Sequence, residues 1–164
     1  MRFKRLPDPP DDPATLDDAR RAVPLVPDRE ADCCARLRDR LDLADRDAAR
    51  AWLCLLRALG LVERTGSGYR RVRPAPDDEA RRAAFRDRVY GAREALAAVG
   101  AEGPLTAAGA AERLRDGMPA WERARTPDPA AAWRERTRRL LGWAALLGLV
   151  ERADGGYVRR DRDA

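Results

Sequence analysis

The chain has 164 residues, and its 33 lysines and arginines against 28 aspartates and glutamates give a formal net charge of +5. This length has room for one ordinary domain or two small ones. The sequence contains no histidine, asparagine, glutamine or isoleucine, so catalytic sites of the Ser/His/Asp and Cys/His types and zinc sites with imidazole ligands are excluded. We expect a non-enzymatic binding protein with no cofactor and no metal.

Three helices are predicted in the first half of the chain. A short helix begins near Thr15 and is ended by Pro24, and a second runs from a cap at Asp28 toward Leu41. Asp45 opens the third. The apolar residues of the third helix recur at helical spacing and form one stripe: Ala48, Trp52, Leu55, Leu56 and Leu59. A stripe of this kind packs inward, so this side of the third helix should be buried.

A β-hairpin is predicted directly after the third helix. Gly60 can adopt the left-handed conformation that closes a helix. Residues 61–64 and 69–72 are then predicted as two strands, joined by a glycine-containing turn at 65–68. The first half of the chain therefore has the order three helices and a hairpin.

The second half of the chain repeats this pattern. Residues 59–64, with the sequence Leu-Gly-Leu-Val-Glu-Arg, recur unchanged as residues 147–152. The same offset of 88 aligns Gly68-Tyr69 with Gly156-Tyr157. Six identical residues in a row, with flanking matches in the same order, indicate two homologous domains.

A second offset locates an insertion. Residues 36–39 match residues 113–116 at an offset of 77, so the second copy carries about 11 extra residues near 117–126. Prolines and acidic residues interrupt the apolar pattern between the copies. The predicted organisation is an N-terminal arm over 1–14, a first domain over 15–73, a linker over 74–78 and a second domain over 79–164.

Three helices and a hairpin are also predicted in the second copy. A long alanine-rich helix runs from Asp78 or Glu79 through Val99. A short helix follows Leu105-Thr106, and the third begins in the Thr-Pro-Asp-Pro segment 126–129 and runs to Leu147. The fold class is mainly α with small β-hairpins, an α+β arrangement.

This order of elements, in which the third helix leads through Leu-Gly-Leu-Val-Glu-Arg into a Gly-Tyr hairpin, resembles the winged helix-turn-helix domain in both copies. The low-lysine, high-aspartate composition is similar to that of small haloarchaeal proteins. The resemblance implies two tandem winged-helix domains. It also implies that the third helix enters the major groove of DNA while the hairpin, or wing, contacts a neighbouring groove or the backbone, as in DNA-binding members of the class.

Arginines on the third helices are the first candidates for DNA contacts. Arg46 and Arg50 lie four residues apart and therefore side by side, away from the apolar stripe. Arg134 and Arg138 occupy the matching places in the second copy. Arginine suits both phosphates and guanine at such positions. The alternative is that these arginines form ion pairs with Asp47 and Glu135 on solvated faces.

Arginines of the hairpins form a second set of candidates. They are Arg64, Arg70, Arg71 and Arg73 in the first copy, and Arg152, Arg159, Arg160 and Arg162 in the second. Those at 70–71 and 159–160 are predicted to contact DNA phosphates. The alternative is that they protect the exposed edge of a short hairpin against pairing.

The first residues of the chain permit two interpretations. Arg2, Lys4 and Arg5 can form a flexible basic arm. Alternatively, Phe3 and Leu6, which alternate with them, make a short packed strand, and we favour this interpretation.

Four tryptophans divide into two groups. Trp52, Trp133 and Trp143 fall on or near apolar helix stripes and are predicted to lie in the core. Trp121 lies in the insertion and is the candidate partner-binding residue. The alternative, which we favour, is that it covers the second core.

The three cysteines have no metal-like spacing. We expect reduced thiols in a cytoplasmic protein, with Cys54 and at least one of Cys33 and Cys34 buried. No apolar stretch approaches the roughly 20 residues of a transmembrane helix, so no membrane is expected as a partner.

Two functions are compatible with these observations. The first is binding of double-stranded DNA, as a transcription regulator or a DNA-associated accessory factor. The second is a tandem winged-helix scaffold that binds another protein, of the chromosome-organising or transcription-machinery type. The mixed charge at the start of the third helix, where Asp45 and Asp47 flank Arg46, favours the second function because carboxylates repel phosphate.

Overall fold

The computed structural model describes residues 3–117 and 119–160, apart from the side chains of Glu102 and Glu122. The chain forms two compact units, Met1–Tyr90 and Gly91–Ala164. Arg2 and Arg162, named above as basic candidates, lie outside the described residues. No helix in the described ranges has the length and apolarity that crossing a membrane would require.

Unit 1 has the predicted three helices and hairpin, followed by one more helix. Its elements are α1 (Ala14–Ala22), α2 (Glu30–Leu41), α3 (Arg46–Ala58), β1 (Val62–Thr65), β2 (Gly68–Arg71) and α4 (Asp78–Arg88). Asp45 begins α3 as predicted, because its carboxylate accepts a hydrogen bond from the backbone N–H of Ala48 at 2.8 Å. The apolar side of α3 is buried, with Trp52, Leu55 and Leu56 at most 4% exposed.

The hairpin is joined to the start of α2 by a short backbone bridge. β1 and β2 are antiparallel, with Glu63 opposite Arg70. The Tyr69 N–H donates to the Asp28 carbonyl at 2.7 Å, and the Asp28 N–H donates to the Tyr69 carbonyl at 3.0 Å. Gly68 lies at this crossing, where a Cβ atom would stand 2.1 Å from the Asp28 carbonyl oxygen. The close approach of the two backbones therefore requires glycine at this position.

The long helix predicted over 78–99 is interrupted. α4 ends at Arg88, and Gly91 has a φ of +87°, which no helix can continue through. Between them, the Phe3 N–H donates to the Arg88 carbonyl at 2.7 Å and the Tyr90 N–H donates to the Phe3 carbonyl at 2.9 Å. The first residues are therefore packed against unit 1, with Leu6 buried, but Phe3 forms an isolated bridge and not the predicted strand. Because Phe3 pairs with residues at the end of α4, α4 belongs to unit 1. The compact units therefore divide between Tyr90 and Gly91, and not at the linker predicted over 74–78.

Unit 2 repeats the arrangement with one added helix. Its elements are α5 (Ala92–Glu102), α6 (Ala107–Asp116), α7 (Ala120–Arg125), α8 (Pro129–Leu146), β3 (Val150–Ala153) and β4 (Gly156–Arg159). β3 and β4 are antiparallel. Leu105, before α6, forms the same two-bond bridge with Tyr157 that Asp28 forms with Tyr69. The insertion contains α7, and the two predicted copies share one fold.

The third helices differ in length. α3 begins at Arg46, but α8 begins at Pro129, five residues before the matching Arg134. The Asp128 carboxylate accepts from the Ala131 N–H at 3.1 Å, so the cap lies inside the predicted Thr-Pro-Asp-Pro start. At 1.5 Å per residue, the five residues extend α8 by about 7 Å.

The predicted core residues are mostly confirmed. Trp52, Trp133 and Trp143 are at most 7% exposed. Cys33 and Cys34 are buried free thiols, as predicted, whereas Cys54 is only partly buried. Cys54 faces a cavity described below.

The burial of Cys33 should make the stability of unit 1 fall at alkaline pH. Burial, with a further contribution from the charge of Asp28, raises the pKa of the Cys33 thiol to about 11. The unfolded chain, whose thiols ionise near pH 8.5, therefore loses this proton first, and the free energy of unfolding declines between about pH 8.5 and 11.

Urea unfolding at pH 8 and pH 10.5 measures this decline. The Cys33→Ala variant should be less stable at pH 8 but should lose less free energy of unfolding on going to pH 10.5 than the wild type does. Equal losses in the two proteins would contradict the assignment.

Candidate nucleic-acid interface

The candidate arginines of α3 differ in their surroundings. Arg46 is exposed and makes no ion pair with any residue that the structure describes. Arg50, one turn later, donates from Nε to Oε1 of Glu30 at 3.0 Å, which ties α3 to the first residue of α2. The predicted alternative pairing with Asp47 is not formed by either arginine within the described ranges. Arg46 is thus the α3 arginine with the most accessible charge.

The matching arginines of α8 show the same contrast. Arg134 is exposed and has no ion pair among the described residues. Arg138 forms a two-pronged contact with Glu135, from Nη2 at 2.6 Å and Nε at 3.2 Å, and Arg139 adds a third at 3.1 Å. The hydrogen bond from Arg138 lowers the pKa of the Glu135 carboxyl, which stays ionised. Arg138 therefore forms the ion pair with Glu135 that was predicted as the alternative to a DNA contact.

Two candidate arginines of the hairpins hold cross-strand carboxylates. Arg70 contacts Glu63 from the neighbouring strand, and Arg160 contacts Glu151 at 3.2 Å. All four side chains are about half exposed. Exposed ion pairs of this kind contribute at most about 1 kcal/mol to the free energy of unfolding. Each arginine can therefore exchange its carboxylate for a phosphate at little cost.

The other two hairpin candidates lie against the first helix of their own unit. Arg71 donates from Nε to the Val23 carbonyl and from Nη2 to the Arg21 carbonyl, each at 3.0 Å. These carbonyls lie at the end of α1, where a cation is favoured by the helix dipole. Arg159, at the matching place in unit 2, passes the end of α5, where a Cβ on Gly100 would lie 3.3 Å from its side chain. The Arg159 side chain makes no hydrogen bond or ion pair within the described residues, so only Arg71 is fixed to its helix through carbonyl groups.

A family model matches the whole length of the chain. The model describes a halobacterial double winged helix domain and covers residues 1–164. The chain belongs to this family. No curated protein and no solved structure shows a significant match. Both the predicted tandem winged-helix fold and the haloarchaeal resemblance are confirmed.

In this double winged helix protein, α3 and α8 are the third helices and the two hairpins are the wings. Winged-helix domains are typically non-enzymatic folds that bind DNA. Exposed arginines occur on the third helix and the wing of both units. They are Arg46, Arg64, Arg70, Arg134, Arg138, Arg152, Arg159 and Arg160.

Sequence reasoning missed Arg57. It lies eleven residues after Arg46 on α3, three helical turns along the same face, and this spacing was a usable signal. Its guanidinium carbon stands 5.3 Å from the ring centroid of Phe3 and 5.5 Å from that of Tyr69. Arg57 therefore joins the third helix, the wing and the first residues of unit 1.

Trp121 does not cover the second core of the double winged helix protein. It lies on α7 in the insertion and is 55% exposed, with the Arg125 guanidinium 5.9 Å from its ring centroid. The favoured core interpretation is wrong for this residue. The large exposed surface leaves Trp121 available as a contact for another molecule.

Proposed function

We propose that this double winged helix protein binds double-stranded DNA in the cytoplasm, as a transcription regulator or a DNA-associated accessory factor, and that it catalyses no reaction. The observation that carries the proposal is the occurrence of exposed arginines on both elements that winged-helix proteins use against DNA, in both units. The net charge of +5 supports it, because basic proteins attract nucleic acid.

Within the proposed interface, Arg46 and Arg134 are the primary contacts. Neither has a carboxylate to release among the described residues. Arg50, Arg70, Arg138 and Arg160 are secondary contacts, since each must first give up an exposed ion pair. Arg71 positions the first wing through its hydrogen bonds to the end of α1, and any phosphate contact that it makes comes in addition to this role. Arg159 is exposed and, like Arg46 and Arg134, has no carboxylate to release among the described residues.

The protein should recognise phosphates and groove shape more than base sequence. Asparagine and glutamine, the usual two-bond partners of adenine, are absent from the chain. Arginine on guanine is the strongest base contact that this composition allows. We therefore propose weak specificity with a preference for guanine.

A double variant with one change in each unit tests the proposal. Arg46→Ala with Arg134→Ala should weaken binding to a labelled duplex of about 25 base pairs and reduce the slope of log affinity against log salt by about two, because two phosphate contacts are lost. Fluorescence anisotropy from about 50 to 200 mM salt measures both quantities.

The matched control removes the same charge outside the third helices and wings. Arg86→Ala on α4 with Arg93→Ala on α5 should leave the salt slope within about half a unit of the wild type. Both double variants should keep the wild-type melting temperature, because exposed charges contribute little to folding. Absence of wild-type binding at 50 mM salt, or equal weakening in the control, would overturn the proposal.

Protein binding is a second candidate function, and Trp121 favours it. Exposed tryptophans are frequent anchors of protein interfaces. Asp45 and Asp47 also place two carboxylates beside Arg46, which suits a partner of mixed charge better than a polyanion. A pull-down that compares the wild type with Trp121→Ala becomes the deciding measurement if duplex binding is not found.

A further inference from the structure

We propose that a cavity in unit 1 binds a small aromatic anion, a flat ring that carries a carboxylate or a phosphate. The cavity has a volume of about 420 Å³ and lies between residues 3–5, the start of α2, one face of α3 and strand β2. Sites for small molecules commonly have volumes of about 300 to 1,000 Å³. This one is therefore large enough for a benzoate or for much of a nucleotide.

The charge of the cavity wall selects an anion. Four cationic side chains, Lys4, Arg5, Arg50 and Arg57, line it together with a single carboxylate, Glu30. Glu30 is held by Arg50 at 3.0 Å. Apart from Lys4, whose ammonium lies over the Tyr90 ring at 5.3 Å, the wall carries two more positive than negative charges, which favours an oxyanion.

Arg57 is placed to receive that oxyanion. It is partly buried, and it makes no ion pair within the part of the chain that the structure describes. Its guanidinium is held instead by the rings of Phe3 and Tyr69, at 5.3 and 5.5 Å. Aromatic contacts of this kind fix the cation without placing a carboxylate on it, so its N–H groups can form the charge-assisted hydrogen bonds that carboxylates and phosphates accept.

The rest of the wall suits a flat apolar body. Phe3, Leu53 and Tyr69 line the cavity beside the cationic groups. A ligand with an aromatic ring can cover these side chains while its acidic group reaches Arg57. A fully hydrated ion such as inorganic phosphate can contact Arg57 but does not cover the apolar side chains.

The second winged-helix unit keeps Arg138, Leu141 and Tyr157 at the positions of Arg50, Leu53 and Tyr69, but it lacks three other groups of this wall. At the matching positions, Arg57 is replaced by Ala145, Cys54 by Gly142 and Glu30 by Ala107. Because unit 2 forms the same fold without them, the winged-helix architecture does not require these side chains. Their presence in unit 1 alone supports a role in binding.

Cys54 provides a direct probe of occupancy. It lines the cavity and is partly exposed, whereas Cys33 and Cys34 are buried. A neutral maleimide should therefore label Cys54 first in the folded protein. A ligand in the cavity should slow that labelling, and no DNA is needed to observe it, so the result is independent of the proposed DNA binding.

The experiment uses benzoate and adenosine 5′-monophosphate as probes, with benzyl alcohol and adenosine as their neutral counterparts. At about 10 mM probe and a Kd of about 1 mM, labelling of Cys54 should slow about tenfold. The neutral counterparts should leave the rate unchanged. If neither anion slows the labelling, or if the neutral molecules slow it equally, the proposal is wrong.

Variants then assign the effect to the cationic wall. Arg57→Met keeps an apolar stem between the two rings and should abolish protection by both anions. Arg5→Ala, a change at an exposed side chain, should weaken protection without affecting folding. The control Arg86→Met should keep full protection. Slow labelling of Cys33 and Cys34 in each variant reports that unit 1 is folded, and protection that persists in Arg57→Met and Arg5→Ala would overturn the assignment.

Discussion

Replacing Gly68 with alanine should destabilise unit 1 by about 3 kcal/mol, because the new Cβ would stand 2.1 Å from the Asp28 carbonyl oxygen and 2.5 Å from its carbon. The backbone bridge between Asp28 and Tyr69 must open to relieve this contact. The φ of +128° at Gly68 adds strain for any residue with a side chain. Urea unfolding followed by tryptophan fluorescence measures the loss.

Gly66, in the same turn, is the matched control for this substitution. A Cβ at Gly66 meets no atom within 4 Å, so Gly66→Ala should change the free energy of unfolding by only a few tenths of a kcal/mol. In unit 2, Gly156→Ala should destabilise the fold less than Gly68→Ala does, since its Cβ would lie 2.9 Å from the Leu105 backbone and Gly156 has no positive φ. Similar stabilities for the variants at 68 and 66 would contradict the close approach of the two backbones.

Adjacent arginines of β2 should have opposite phenotypes. Arg71→Ala removes two hydrogen bonds from a cation to the carbonyls of Arg21 and Val23, and it should destabilise unit 1 by about 2 kcal/mol. Arg70→Ala removes one exposed pair with Glu63 and should cost less than about 1 kcal/mol. Thermal and urea unfolding of the two variants measure this difference.

Duplex binding should respond to the same two changes differently. Arg70 is exposed and belongs to the proposed interface, so Arg70→Ala should reduce the salt slope by about one while unit 1 stays folded. Arg71→Ala, measured where it remains folded, should keep most of the wild-type slope. If Arg71→Ala proves as stable as Arg70→Ala, the hydrogen bonds to the end of α1 are not formed in solution.

Features with local or repeated signals were predictable from the sequence. Asp45 caps α3 through a hydrogen bond to a residue three positions away, and Gly60 ends that helix with a φ of +77°. Each of these two residues lies within one turn of the end of α3 that it marks. The hairpins follow from glycine turns beside strands that share Val-Glu-Arg and Gly-Tyr, and the shared fold of the two units follows from the repeat.

Features that depend on partners distant in the chain were not predictable in this way. Residues 89–91 continue an alanine-rich helical pattern, but Val89 leaves the helix to pair with Phe3. Arg71 is a hairpin arginine like Arg70 by sequence, and only its contact with α1, about 50 residues earlier, distinguishes the two. The cavity likewise forms because residues 3–5 lie beside α3, and no periodic pattern in the sequence predicts that contact.

The candidate interface shows the same division. Exposure of Arg46 and Arg134 follows from their positions away from the apolar stripe. The ion pair of Arg50 was not predictable, because its partner Glu30 lies on another helix. The pair between Arg138 and Glu135 was predictable, because the two residues are three positions apart on one helix. Trp121 could not be placed because the insertion has no counterpart in the first copy.

The pairing of Phe3 with Arg88 and Tyr90 constrains the order in which unit 1 can be completed during translation. A ribosome releases the chain from its first residue onward, at about 5 to 20 residues per second, so Phe3 waits roughly 5 to 20 seconds for its partners. The helices and the hairpin up to β2 can assemble in that interval. The backbone pairing that joins the two ends of the unit can form only after residues 88–90 have been added, and a nascent chain halted before residue 88 would leave the Phe3 backbone without it.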